Sequence, residues 1–87
     1  MHRLTVIFYG EVQGVGFRAV ARNKALELKV TGTIQNCTDG SVEAVLEGDL
    51  GAIFTLIKEL ALSFSLTDIK IAFEPSVVGL HDFLILR

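Results

Sequence analysis

The chain has 87 residues, 51% of them hydrophobic, a mean hydropathy of +0.53, and 8 basic against 10 acidic side chains for a formal net charge of −2. This length predicts one domain, residues 1–87, because single cores usually run to roughly 100–150 residues, and it excludes a doubly wound nucleotide-binding sheet or a (β/α)8 barrel. The apolar content excludes a disordered segment, and the near balance of charge excludes a broad electropositive field for nucleic acid or anionic lipid.

Leu4–Glu11 alternates Leu4, Val6, Phe8 and Gly10 against Thr5, Ile7, Tyr9 and Glu11, which predicts a strand with one buried face. Val12–Phe17 carries Gly14 and Gly16 two apart and predicts a loop. Arg18–Lys29 follows as an amphipathic helix, with Phe17, Ala21, Ala25 and Leu28 along one side. Val30–Thr38 predicts a second strand with Val30, Gly32, Ile34 and Asn36 on one face. Asp39-Gly40 predicts a type I′ hairpin turn into the return strand Ser41–Glu47, on which Glu43 and Glu47 fall on the solvated side.

Gly48-Asp49 ends that strand and caps a second helix over Leu50–Leu62, with Leu50, Ile53, Phe54, Ile57, Leu60 and Ala61 on its apolar stripe. Thr67–Glu74 predicts another strand, Pro75 stops it, and His81–Arg87 is a last short one. The order βαββαβ, with a small extra strand at the end, predicts an α+β ferredoxin-like two-layer sandwich, both helices lying on one face of an antiparallel sheet.

The segment Leu50–Leu66 is nearly long enough to cross a bilayer, but Lys58 and Glu59 sit mid-segment, where each charge costs on the order of 2.5–3.5 kcal/mol. The opening residues MHRLTVIFYG lack the continuous apolar block of a secretory leader. A single cysteine, Cys37, forms no internal disulfide and suits a reducing compartment, so the expectation is a cytoplasmic protein without a membrane partner.

The most informative stretch is Gly10-Glu-Val-Gln-Gly-Val-Gly-Phe-Arg18, between the first strand and the first helix. The first N–H groups of a helix lack intrahelical partners, and the macrodipole puts roughly half a positive charge there. Two glycines let such a loop curl its amides around a phosphate or carboxylate. Arg18 is a cation at the positive end of a helix, a conflict that a bound anion resolves. The alternative is a solvated Arg18 after a simple turn. Gly14-Val-Gly16-Phe-Arg-Ala19 also matches a dinucleotide-binding fingerprint, but the nearest acid at the right distance, Asp39, lies in a hairpin turn rather than after a parallel strand.

Asn36 is a polar amide near the end of an apolar row, and on spacing alone it reads as a structural group bonded within the hairpin. Cys37 points to the opposite face and has no recognisable base, so it reads as a packing or surface thiol. His2 and His81 stand near opposite ends of the chain without the spacing of a metal site. The middle strands present Ser41, Glu43 and Glu47 where RNA binding would want basic and aromatic residues.

VQGVGFR at Val12–Arg18, followed by GTIQNCTDGSVEAVLEG at Gly32–Gly48, resembles the acylphosphatase family along the length of the chain. The resemblance implies a ferredoxin-like fold and hydrolysis of small-molecule acyl phosphates to carboxylate and inorganic phosphate, the latter a product and inhibitor, without metal or cofactor. It further implies a cytoplasmic protein, and the expectation for so small a chain is a monomer. By motif position, Arg18 corresponds to the family's phosphate-binding arginine and Asn36 to its water-orienting asparagine, which turns the reading of Asn36 from structural to catalytic. The loop residues Gln13, Gly14, Val15, Gly16 and Phe17 correspond to the phosphate cradle. An alternative is a non-catalytic module holding phosphate or carbamoyl phosphate, as in the related domain of hydrogenase maturation proteins.

Three positions depart from the family pattern. Leu28-Lys-Val-Thr-Gly32-Thr33 replaces a frequent Leu-Gly-Leu-x-Gly-Trp, the usual Gly-Pro is absent around Leu62–Leu66, and Cys37 follows Asn36 where Thr or Leu is frequent.

Overall fold

The computed structural model describes residues 1–87. The elements are β1 (His2–Gly10), α1 (Phe17–Leu28), β2 (Thr31–Asn36), β3 (Val42–Gly48), α2 (Leu50–Ser63), β4 (Leu66–Phe73) and β5 (Phe83–Ile85). One five-stranded sheet in the order β4-β1-β3-β2-β5 carries both helices on one face, the predicted ferredoxin-like sandwich. Four strands pair antiparallel, as expected, and β5 adds to β2 in parallel.

The two-residue alternation of the strands decides which face meets the helices. Leu4, Val6 and Phe8 of β1 stand in cross-strand rows with Leu46, Ala44 and Val42 of β3, and all six are buried. From the helices, Phe17, Ala21 and Ala25 of α1 and Ile53, Leu56, Ile57 and Leu60 of α2 close the core. The Phe17 ring lies 5.0 Å from that of Phe8 and 4.8 Å from that of Phe64, so the first residue of α1 is an aromatic anchor. Phe54 and Ala61, predicted on the buried stripe of α2, are exposed or nearly so, whereas Leu56 is fully buried. Phe54 instead sits toward the sheet edge, its ring 6.4 Å from that of Phe73 of β4.

Two local expectations are corrected. Cys37 and Ser41 close the β2–β3 hairpin, with the Cys37 N–H on the Ser41 carbonyl at 2.8 Å and the Gly40 N–H on the Cys37 carbonyl at 3.2 Å. Only Gly40 has a positive φ, so the connection is a three-residue loop ending in a left-handed glycine, not a type I′ turn needing two positive φ values. The Asp39 carboxylate caps this loop by accepting from the Ser41 N–H and hydroxyl, and the hydroxyl bond chiefly holds its pKa below the ordinary carboxylate value.

Glu47, expected on the solvated side of β3, is completely buried. The chain between β4 and β5 must pass from one sheet edge to the other, and it crosses the face away from the helices over Glu47. There the carboxylate accepts from the N–H groups of Val78 (2.6 Å), Gly79 (2.9 Å) and Leu80 (2.8 Å) and from the Arg3 guanidinium (2.9 Å). Burial pushes this carboxyl up, but the Leu80 and Val78 amides, Arg3 and the Gly79 amide outweigh it and hold the pKa at about 2. No helix is long and apolar enough to cross a membrane.

Candidate active site

Topology gathers the site. With β1 and β2 both antiparallel to β3, and β5 parallel to β2, these three strands run in one direction. Their C-terminal ends therefore meet at one end of the sheet: Gly10 leads into the glycine loop, Asn36 ends β2, and Ile85 ends β5.

The loop is tied at its start and anchored at its end. The Glu11 N–H donates to the Ser65 carbonyl at 2.9 Å, Val12 is buried, and Phe17 plugs the core. Between them Gly14 and Gly16 take φ values of 76° and 78°, the left-handed region that residues with a Cβ avoid. A Cβ at either position would meet no atom within 4 Å, so backbone conformation alone asks for glycine there. Gly16 is the N-cap of α1, and no side chain caps that helix. From Gln13 to Ala19, no backbone N–H has an acceptor within the protein. A run of unpaired donors at a positive helix end has the geometry that suits an anion.

A cavity of about 180 Å³ lies against this loop, bounded by Val12, Gly14, Gly16, Phe17, Arg18, Ala19 and Ile85. Arg18 is half-buried and pairs with no carboxylate, the two ion pairs of the molecule being Arg3–Glu47 and Lys24–Glu59. Val15 is 48% exposed and does not line the cavity, and Gln13 turns its side chain away to the hairpin, leaving only its backbone at the loop.

Asn36 sits at the same end of the sheet, outside the cavity lining, in the cross-strand row Phe8–Val42–Asn36 on the helix-facing side. Its N–H donates to the Arg87 carbonyl at 2.7 Å. Its side-chain Oδ1 is buried and has no hydrogen-bond partner, which makes it the one such side-chain atom in the molecule. Cys37 beside it is half-buried and free, while His2 and His81 are exposed. No group of three or more His, Cys, Asp or Glu side chains is placed to hold a metal ion.

The family model for acylphosphatase matches residues 4–84. The chain belongs to the acylphosphatase family. It is 41% identical over 85 residues to the acylphosphatase of Thermoplasma volcanium, covering 94% of this chain and 93% of that one. With the acylphosphatase of Alcanivorax borkumensis it shares 46% identity over 55 residues, 63% of this chain and 60% of the relative, so that alignment spans about three-fifths of the relative's length. The crystal structure of acylphosphatase from Bacillus subtilis superposes with a TM-score of 0.94 at 33% identity, covering the whole of both chains.

Two departures from the acylphosphatase pattern have visible physical consequences. Lys29 stands where the family often has the first glycine of Leu-Gly-Leu-x-Gly, and it is the C-cap of α1 at φ 59°, the only non-glycine residue with a positive φ. The backbone there takes a left-handed conformation that glycine adopts at no steric cost. Phe64 ends α2 in an extended conformation with its N–H on the Leu60 carbonyl, and its ring packs on Phe17. The helix therefore stops without a Gly-Pro, and Phe64 reaches the core beneath the glycine loop.

Two residues at the site, and one at the far end of the sheet, escaped sequence reasoning in whole or part. Ile85 joins the cavity wall only because β5 adds in parallel to β2, which no local pattern announces. The side chain of Gln13 and the burial of Glu47 depend on contacts with residues 24 to 33 positions away. A glutamate between Leu46 and Gly48 on a strand carries no signal of its own.

Proposed function

We propose that the protein hydrolyses acyl phosphates at the carboxyl–phosphate bond, releasing carboxylate and inorganic phosphate. The observation that carries this reading is the run of unpaired N–H groups from Gln13 to Ala19 beside the unpaired Arg18 guanidinium. In the proposed mechanism the phosphoryl oxygens lie in the amide cradle and accept from Arg18, which neutralises their charge as the transition state develops. The Asn36 carboxamide, at the same end of the sheet as the loop, holds a water in line with the acyl oxygen.

The water oxygen bonds to phosphorus as the phosphorus–acyl oxygen bond breaks, and the carboxylate departs with the electron pair. The water's proton passes to a phosphoryl oxygen. A carboxylate leaves readily, so positioning and charge stabilisation suffice, and neither a protein base nor a cofactor is needed. In this reading residues 1–87 act as one cytoplasmic monomeric unit whose partners are the small substrate and inorganic phosphate.

Hydrolysis of benzoyl phosphate in the presence of EDTA tests the reading. Turnover above the uncatalysed rate supports it. No turnover, together with protection by inorganic phosphate against thermal unfolding, overturns it in favour of a phosphate-binding module.

A further inference from the structure

Gln13 belongs to the glycine loop, yet its side chain leaves the loop. Its Nε2 donates to the Cys37 carbonyl at 2.8 Å and to the Ser41 carbonyl at 2.9 Å. Those two residues close the β2–β3 hairpin on each other, the Cys37 N–H donating to the same Ser41 carbonyl. Cys37 directly follows Asn36, and Ser41 directly precedes Val42, the residue paired with Asn36 across the strands. One carboxamide therefore grips both sides of the hairpin at the step where Asn36 leaves the sheet.

No other hydrogen bond joins the loop Val12–Gly16 to the β2–β3 hairpin. The Asn36 Oδ1, having no partner in the protein, gets no positional restraint from a bond of its own. Its placement relative to the cradle must come through the backbone. That backbone is held in the sheet by its pairing with β3 and by the Arg87 carbonyl, and where it leaves the sheet Gln13 alone ties it to the loop.

We infer that Gln13 is a positioning residue that sets the distance between the phosphate cradle and the Asn36 carboxamide. This rests on the hydrolytic reading above and assigns to the Gln13 side chain a task separate from that of its backbone N–H in the cradle. Both bonds need an N–H donor aimed at carbonyls, so a carboxylate at this position would face two acceptors and push the hairpin away. In-line attack tolerates little misplacement: about 1 Å can cost on the order of 10²-fold in rate.

The test is a double-mutant cycle on kcat for benzoyl phosphate, using Gln13→Met, Asn36→Ala and the pair. The expected result is a loss of kcat on the order of 10²-fold for Gln13→Met, an unchanged inhibition constant for inorganic phosphate, and little further loss when Gln13→Met is added to Asn36→Ala. Gln13→Glu is expected to lose at least as much as Gln13→Met. Should Gln13→Met fail to fold, Gln13→Asn keeps the carboxamide but shortens its reach and enters the same cycle. Losses that multiply in the double variant, or a weakened phosphate constant with kcat intact, overturn the inference. A wild type without turnover overturns the hydrolytic reading and this task with it, whereas multiplicative losses in an active enzyme overturn this task alone.

Discussion

The backbone N–H of Asn36 is bound to the carbonyl of Arg87 at 2.7 Å, while its buried side-chain oxygen is bound to nothing. The contrast sets two expectations for Asn36→Ala that run in opposite directions. Removing a buried acceptor without a partner relieves a desolvation cost of about 1–3 kcal/mol, so thermal stability is expected to hold or rise. The kcat for benzoyl phosphate is expected to fall with little change in phosphate inhibition. A KM defect at constant kcat would instead make Asn36 a ground-state contact.

Arg18→Ala is expected to lose about 2.7–4 kcal/mol of transition-state stabilisation, comparable to removing one oxyanion donor. Because Arg18 has no carboxylate partner and stands at the positive end of α1, its loss costs the fold nothing and relieves about 0.3–1 kcal/mol of repulsion. Parallel measurement of kcat/KM and of urea unfolding checks both halves. An active Arg18→Ala enzyme would remove Arg18 from the reaction.

Two glycines at positive φ separate conformational strain from collision. Gly16→Ala places a Cβ in open space at φ 78° and is expected to cost about 1–2 kcal/mol, with phosphate binding weakened through the altered loop. Gly32→Ala places a Cβ 1.9 Å from the Val45 carbonyl oxygen, a backbone atom that cannot move without breaking the β2–β3 ladder. It is expected to prevent stable folding, as far-ultraviolet circular dichroism will show.

Lys29→Gly is expected to stabilise the protein by about 1 kcal/mol, because the left-handed C-cap is costly for a residue with a Cβ and free for glycine. Comparison of the two thermal midpoints decides it.

Acid sensitivity follows from Glu47. Its folded-state pKa of about 2 lies below the ordinary value of 4.5, so its contribution to stability is complete above about 4.5 and drains away as pH falls toward 2. Glu47→Gln is expected to be less stable at neutral pH by about 1–3 kcal/mol, since an amide cannot accept on both oxygens. Its stability should also fall less steeply between pH 4.5 and 2. Equal acid slopes for the two proteins would place the sensitivity elsewhere.

The strands were legible where alternation set a buried face against a polar one, as with Leu4, Val6 and Phe8, and the helices where apolar residues fell on one side. Element ends moved by no more than two residues, because ends are set by hydrogen bonds to other elements. Strand β5 shortened to Phe83–Ile85, and the Asp39-Gly40 turn lengthened once Cys37 and Ser41 paired. The glycine loop and Arg18 were conspicuous since each breaks a local rule, positive φ or a cation at a positive helix end. Asn36 was ambiguous for the opposite reason: whether an amide is satisfied depends on groups distant in sequence. Glu47 was misread because alternation reports the face of a strand and says nothing of what later covers it.

The sheet order also has a kinetic consequence. Strand β1 lies inside the sheet, and its neighbour β4 pairs Leu4 with Phe73, near the far end of the chain, while β5 must reach β2 across most of the sequence. Such pairings close large loops before any contact rewards them, which slows folding relative to a helical bundle of this size. Refolding from urea should therefore run on the slow side of the millisecond range. The last bonds to mature should be those of β5, so recovery of activity should lag behind recovery of helix.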